Sequence, residues 1–299
     1  MGKASKTKQH PPGRKKTAAQ RAAERHAQVR RRALAASGAI VVVIAIVAAF
    51  VIVALNTKKT APSSGVGNGP TGAALASVVS DTTSVPAGIL DVVGAGSVTR
   101  PPTAVSGAAL TSGGKPEVLY LGAEFCPYCA AEQWGLVVAL SRFGTFSGLR
   151  TVHSSSTDVS PNTPTWTFYR SSYTSRYLTF TPVELASNVP DASAPLGYVP
   201  LQSPTAGQQA LIRRYNPGGS IPFTDIGSRY VISGASVSPQ VLAGRSWAQI
   251  ASSLHDASSP VAQAVDGTAN YITATICTLT NNQPTSACTP TVAALASRM

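Results

Sequence analysis

The chain has 299 residues, of which 43% are hydrophobic and 12% charged. That is enough apolar material for one large or two small domains and too much for a chain disordered throughout. The formal net charge of +12 would fit a nucleic-acid binder if it covered a folded surface, but residues 1–32 hold eleven Lys and Arg against the single Glu24, and the rest of the chain is close to neutral. With no aromatic residue among its charges, this tail points to membrane topology and attraction to anionic headgroups, and no nucleic-acid partner is expected.

Directly after Arg30, Arg31 and Arg32, the run Leu34 to Leu55 (LAASGAIVVVIAIVAAFVIVAL) carries no charge. As a helix it would be about 33 Å long, against a hydrocarbon core of about 30 Å. A single transmembrane helix is therefore expected over residues 34–55. A cleaved signal peptide is the alternative, but its apolar region is normally shorter, and no small-x-small cleavage site follows. Only Lys58 and Lys59 follow the run closely, so the basic residues 1–33 form a cytoplasmic tail and everything after the span lies outside the cytoplasm, on the outer side of the cell membrane.

Residues 56–84 read as a flexible linker, because Asn56 to Gly72 (NTKKTAPSSGVGNGPTG) is mostly Gly, Pro, Ser and Thr. Gly67, Gly69 and Gly72 match a dinucleotide-binding pattern, yet no strand precedes them and Pro70 interrupts them, so the match is set aside. Between Ala73 and Gly94, AALASVV and VPAGILDVV suggest small helices or an extended arm. The folded domain is assigned to residues 85–299.

The clearest signal starts at Pro116. EVLYLGA, Glu117 to Ala123, is a short apolar run behind Gly113 and Gly114 and predicts a buried strand. CPYC follows, Cys126 to Cys129, and then AAEQWGLVVALSRFG predicts a helix that Gly144 ends. A second strand is expected over Leu149 to His153, and WTFY with YLTF as a hairpin added to the sheet. Gly207 to Tyr215 predicts a helix, IPFTDIGSRYVISG two strands about Gly227, RSWAQIASSLHD a helix, and SPVAQAVDGTANYITATICTLT a longer one carrying Cys277. Strand, helix, strand, helix, hairpin, helix is the order of a thioredoxin-like α/β fold, here with extra strands and helices.

All four cysteines lie in the exported part, where disulfides persist. At a strand-to-helix junction the first thiol of C-x-x-C meets unpaired N–H groups and the positive end of the helix dipole, which favour a thiolate. Cys126 is thus the candidate nucleophile and Cys129 the candidate resolving thiol, with Pro127 suited to the first helical turn. Zinc would need a second close pair of ligands, which the spacing of Cys277, Cys288, His153 and His255 does not offer, so no metal is expected. A purely structural disulfide within CPYC is the other alternative. Cys277 and Cys288 are expected to form a structural disulfide, with an electron relay to the first pair as the alternative. Pro222 stands where thioredoxin-like proteins keep a cis-proline loop facing the cysteines; a trans proline opening a strand is the plain alternative.

The segment GGKPEVLYLGAEFCPYCAAEQWGLVVALSRFGTFSGL, Gly113 to Leu149, with SSSTDVSPNTPTWTFY and SIPFTDIGSRYVISGA, resembles the membrane-anchored thioredoxin-like proteins grouped as domain of unknown function 929. The likeness runs through most of residues 85–290. It implies a thioredoxin-like fold with a CPYC center; wider thioredoxin relatives imply Cys126 as nucleophile, Cys129 as resolving thiol and Pro222 as the cis-proline. Two positions depart from those relatives. Phe125 replaces the Trp before the first cysteine, and Tyr120 stands where many keep a buried acid, leaving Glu124 as the candidate proton acceptor for Cys129, with a strand-end charge that merely makes the thiolate less stable as the alternative.

The function expected is a membrane-tethered thiol–disulfide oxidoreductase without a cofactor. Its partners would be thiol-containing exported proteins, a membrane redox partner that recycles the pair, and the lipid bilayer. The alternative is a redox-inactive binding or scaffold module of the cell envelope with CPYC as a permanent crosslink.

Overall fold

The computed structural model describes residues 69–299; the basic tail, the expected span over 34–55 and most of the linker lie outside the described residues. Among the described residues, no single helix is long and apolar enough to cross a membrane. The architecture of the described residues is mixed α/β, with seven α-helices among them and a mixed sheet.

The first helix, α1 (Gly72–Thr83), corrects the expected linker, which gives way to folded structure before residue 84. Leu75, Val78, Val79 and Thr82 recur at helical spacing, with Val78 and Thr82 buried against the body of the domain. A short helix, α2 (Ala87–Val93), follows and buries Leu90 and Val93.

The sheet is built around β3 (Lys115–Gly122), whose Val118, Leu119, Tyr120 and Leu121 are all buried because both faces are covered. The short β1 (Thr103–Ala104) and β2 (Thr111–Ser112) precede it, and β2 folds back on the start of β3. Next comes α3 (Pro127–Ser141).

After α3 the chain departs from the expected order. β5 (Arg150–His153) pairs with β6 (Pro164–Thr167), and β4 (Gly144–Ser147) pairs with β7 (Ser172–Ser175), each as a separate two-stranded ribbon. The parallel neighbour of β3 is β8 (Thr179–Glu184), in register from Glu117↔Thr179 to Gly122↔Glu184. WTFY and YLTF therefore do not form the expected hairpin, and Leu149–His153 is not the second strand of the main sheet. Pro182 makes β8 a poor candidate for a central strand, but β8 sits on the sheet edge with only β3 beside it, where a missing N–H is tolerated.

A small hairpin, β9 (Ala186–Pro190) with β10 (Tyr198–Pro200), leads to α4 (Ala206–Tyr215). Thr205 caps α4 and Gln208 returns the bond, a full capping box. β11 (Phe223–Ile226) then pairs antiparallel with both β3 and β12 (Tyr230–Ser233), as expected for strands about Gly227. The order across the sheet is β8, β3, β11, β12, β1.

Two further helices follow, α5 (Trp247–Ser253), which packs on α1 and α6, and α6 (Pro260–Leu279), which with α1 covers α3 from outside, so α3 is buried over nearly its whole circumference. Gly135 allows α3 and α6 to approach closely, since a Cβ there would lie 2.6 Å from the Thr268 methyl. Cys277, in the last turn of α6, is disulfide-bonded to Cys288 across 11 positions of sequence. The last helix, α7 (Pro290–Ala296), packs back on α6.

Candidate functional site

β3 runs directly into the turn Ala123–Phe125, which delivers Cys126 as the N-cap of α3. The N–H of Cys129 donates to the Cys126 sulfur at 3.2 Å, so the thiol occupies the capping position a Ser or Asp oxygen would otherwise take. Pro127 is the first helical residue, where it has no hydrogen bond to forfeit. Across from the sulfur, the Ile221 carbonyl accepts from the Cys126 thiol at 3.9 Å, and the Ile221–Pro222 peptide is cis.

The two thiols differ in environment. Bonding from the Cys129 side chain lowers the Cys126 thiol below its ordinary value, assisted by the N–H groups of Cys129 and Tyr128 and opposed by burial and the charge of Asp158. Cys129, fully buried, is pushed well above the ordinary thiol range by burial, then by its bond to Cys126 and the Cys126 charge. The two sulfurs are thus shifted in opposite directions, Cys126 toward ionisation and Cys129 away from it. Both are free rather than bonded to each other.

Two aromatic rings shape the approach. Phe125 stacks on Tyr198 with ring centroids 4.3 Å apart, and the Tyr198 hydroxyl donates to the Ser155 hydroxyl at 2.7 Å. Tyr128, between Pro127 and Cys129 in the motif, is exposed.

Glu124 is not a peripheral strand-end charge. It is fully buried, its N–H donates to the Ala186 carbonyl at 2.9 Å, and Oε1 accepts from the Thr167 hydroxyl at 2.6 Å. Sequence reasoning missed its neighbour Glu184, the last residue of β8, which is also fully buried. Burial first, and then the Glu124 charge, raise the Glu184 carboxyl to about 8; the Phe168 N–H and the Gln133 side chain act against this. A single acid at the end of the apolar run TFTPVELA was the available signal. Tyr120, which takes the place of a buried acid in β3, is fully buried with its hydroxyl toward Cys129.

Glu132 belongs to the same helix but does different work. It receives the Ser236 N–H at 2.8 Å and the Ser236 hydroxyl at 3.1 Å, pinning the chain after β12 to α3. Burial lifts its carboxyl to about 7 despite those bonds.

Cys126, Cys129, Ile221 and Pro222 are therefore brought together, with Glu124 buried in the turn just before Cys126, while Cys277 sits with a different group of apolar residues. Among the described residues, no group of three or more His, Cys, Asp and Glu is arranged to hold a metal ion.

What fold and site define is an α/β domain with a buried dithiol at a strand-to-helix junction. Residues 101–196 match the family described as domain of unknown function (DUF929), the group that the CPYC segment resembles. The match takes in β3, the dithiol, α3, β8 and Glu184, and is shorter than the 85–290 over which the resemblance runs. No curated protein and no solved structure matches the chain.

Proposed function

We propose that this protein is a thiol–disulfide oxidoreductase of thioredoxin-like fold, tethered to the membrane by residues 34–55 and acting outside the cytoplasm on exported proteins. The observation that carries the reading is the asymmetry of the two thiols: Cys126 caps α3 and is lowered, while Cys129 is buried behind it and raised.

That asymmetry suits a two-step exchange. The Cys126 thiolate attacks a partner disulfide, forming a mixed disulfide and releasing one partner thiolate. Cys129 then attacks the Cys126 sulfur, forming Cys126–Cys129 and releasing the second partner thiolate. Run backward, the same steps oxidise a partner dithiol. A membrane redox partner restores the starting state, and no cofactor is called for.

The topology supports the fold assignment. The strands β8, β3, β11 and β12 lie in that order, with β8 parallel and β11 antiparallel to β3, and α3 forms the crossover between β3 and β8. On this reading the four strands correspond to those of a thioredoxin-like core, with the ribbons β4–β7 and β5–β6 inserted before β8. The tether and the orientation rest on the apolar run and the basic tail described above.

The test is equilibration of the purified protein with glutathione redox buffers, followed by trapping of Cys126. A potential near those of exchanging dithiols, above about −270 mV, is expected. A bond that resists reduction below about −300 mV would mark CPYC as a permanent crosslink and support the scaffold reading instead.

A further inference from the structure

On the oxidoreductase reading, we propose that Glu184 is the proton acceptor for Cys129, reached through the Tyr120 hydroxyl. Tyr120 and Gly122 share one face of β3, and the Tyr120 hydroxyl lies over Gly122: a Cβ at that position would stand 2.0 Å from the phenolic oxygen. Gly122 is in parallel register with Glu184, so the glycine leaves open the space between hydroxyl and carboxyl.

The helix fixes the carboxyl in place. Gln133, one turn beyond Cys129 on α3, donates Nε2 to Glu184 Oε1 at 2.7 Å, and the Phe168 N–H donates to the same oxygen at 3.2 Å. Oε1 is thereby occupied. Oε2 of Glu184 and the Tyr120 hydroxyl are both buried without a hydrogen-bond partner. Buried polar atoms in a folded core are normally paired, and these two lie on the same side of the sheet next to the thiol that must lose a proton.

The step balances. The Cys129 S–H proton passes to the Tyr120 oxygen as the Tyr120 proton passes to Glu184 Oε2. The Cys129 sulfur then bonds to the Cys126 sulfur, and the electron pair of the broken mixed disulfide leaves on the partner thiolate. In reverse, protonated Glu184 resupplies the proton to Cys129 when the Cys126–Cys129 bond is reduced. The charges facing Glu184 are those of Glu124, in the turn before α3, and Cys126. In the mixed disulfide the Cys126 charge is gone, and the carboxyl ionises more readily when Cys129 needs an acceptor.

The experiment uses the full-length protein loaded with glutathione as a mixed disulfide on Cys126, with glutathione release followed from pH 6 to pH 9.5. Wild type is expected to release faster as Glu184 ionises. Glu184→Gln, which keeps the shape of the side chain, is expected to slow release by about a hundredfold and to remove the inflection, while alkylation of Cys126 stays near the wild-type rate. Tyr120→Phe is expected to slow release in the same direction and serves if Glu184→Gln does not fold. Release from either variant at the wild-type rate, with the wild-type pH profile, would overturn the proposal and leave the oxidoreductase reading standing. If Cys126 of the wild type never takes up glutathione, the oxidoreductase reading fails, and this proposal fails with it.

Discussion

The two cysteine pairs of the domain use the same atoms in opposite ways. Cys126 and Cys129 open a helix, at the N-terminal end of α3, where N–H groups point at the first sulfur. Cys277 closes a helix, in the last turn of α6, and is bonded to Cys288 with no such donors involved. A helix start stabilises a thiolate and a helix end does not, so position along a helix separates a reactive thiol from a crosslink. Burial then divides the first pair again, giving one sulfur suited to attack and one suited to wait.

The sharpest way to break this comparison is at the first pair. Cys129→Ala is expected to lower turnover of a disulfide substrate by at least about a hundredfold while leaving mixed disulfides on Cys126, seen as reductant-sensitive adducts on a non-reducing gel. Adducts in equal amount from Cys126→Ala would remove the distinction between the two thiols.

At the second pair the effect is expected on stability instead. Replacing Cys277 and Cys288 together with Ala should cost about 3 kcal/mol in denaturant unfolding, for a loop closed across 11 residues. Exchange at Cys126 should be unchanged in the folded protein. A fall in exchange rate without a fall in stability would favour the relay.

The helix that carries the first pair also carries Glu132, and its burial has a pH signature. A carboxyl raised to about 7 from 4.5 binds its proton more tightly in the folded state. Its contribution is therefore full below pH 4.5 and is lost as the pH rises through 7. Between about pH 5 and pH 8, Glu132→Gln should remove on the order of 2 kcal/mol of the pH dependence of unfolding, read from urea midpoints across that range. An unaltered slope would mean that Glu132 is ionised throughout.

The smallest effect is expected at the rim. Tyr198→Phe keeps the stack on Phe125 and deletes the bond to Ser155, so it should cost about 1 kcal/mol or less and leave the order of alkylation, Cys126 before Cys129, as it is. Reversal of that order would assign the reactivity of Cys126 to the loop rather than to the helix start.

The local elements were legible where one segment carries its own signal. Glu117–Ala123 reads as a strand because the run is apolar and short, the following segment as a helix because its residues favour one, and both appear as β3 and α3. The helical face of Leu75, Val78, Val79 and Thr82 was equally present, but the Gly- and Pro-rich stretch before it drew the linker boundary too far. The second strand was misplaced for a different reason. Arg150–His153 and Thr179–Glu184 are both plausible strands, and only the pairing with β3 distinguishes them.

By itself, the sequence determined the strand–CPYC–helix unit, with Cys126 at the helix start and Cys129 within its first turn, because capping, dipole and periodicity act over a few neighbouring residues. It also holds the apolar run and basic tail from which the membrane tether is read. Only the tertiary structure decided that β8 lies beside β3, and that Glu124 and Glu184 are buried side by side near the thiols. Those contacts join residues far apart in the chain, and the energy of a carboxyl or a thiol depends on what the rest of the fold packs around it.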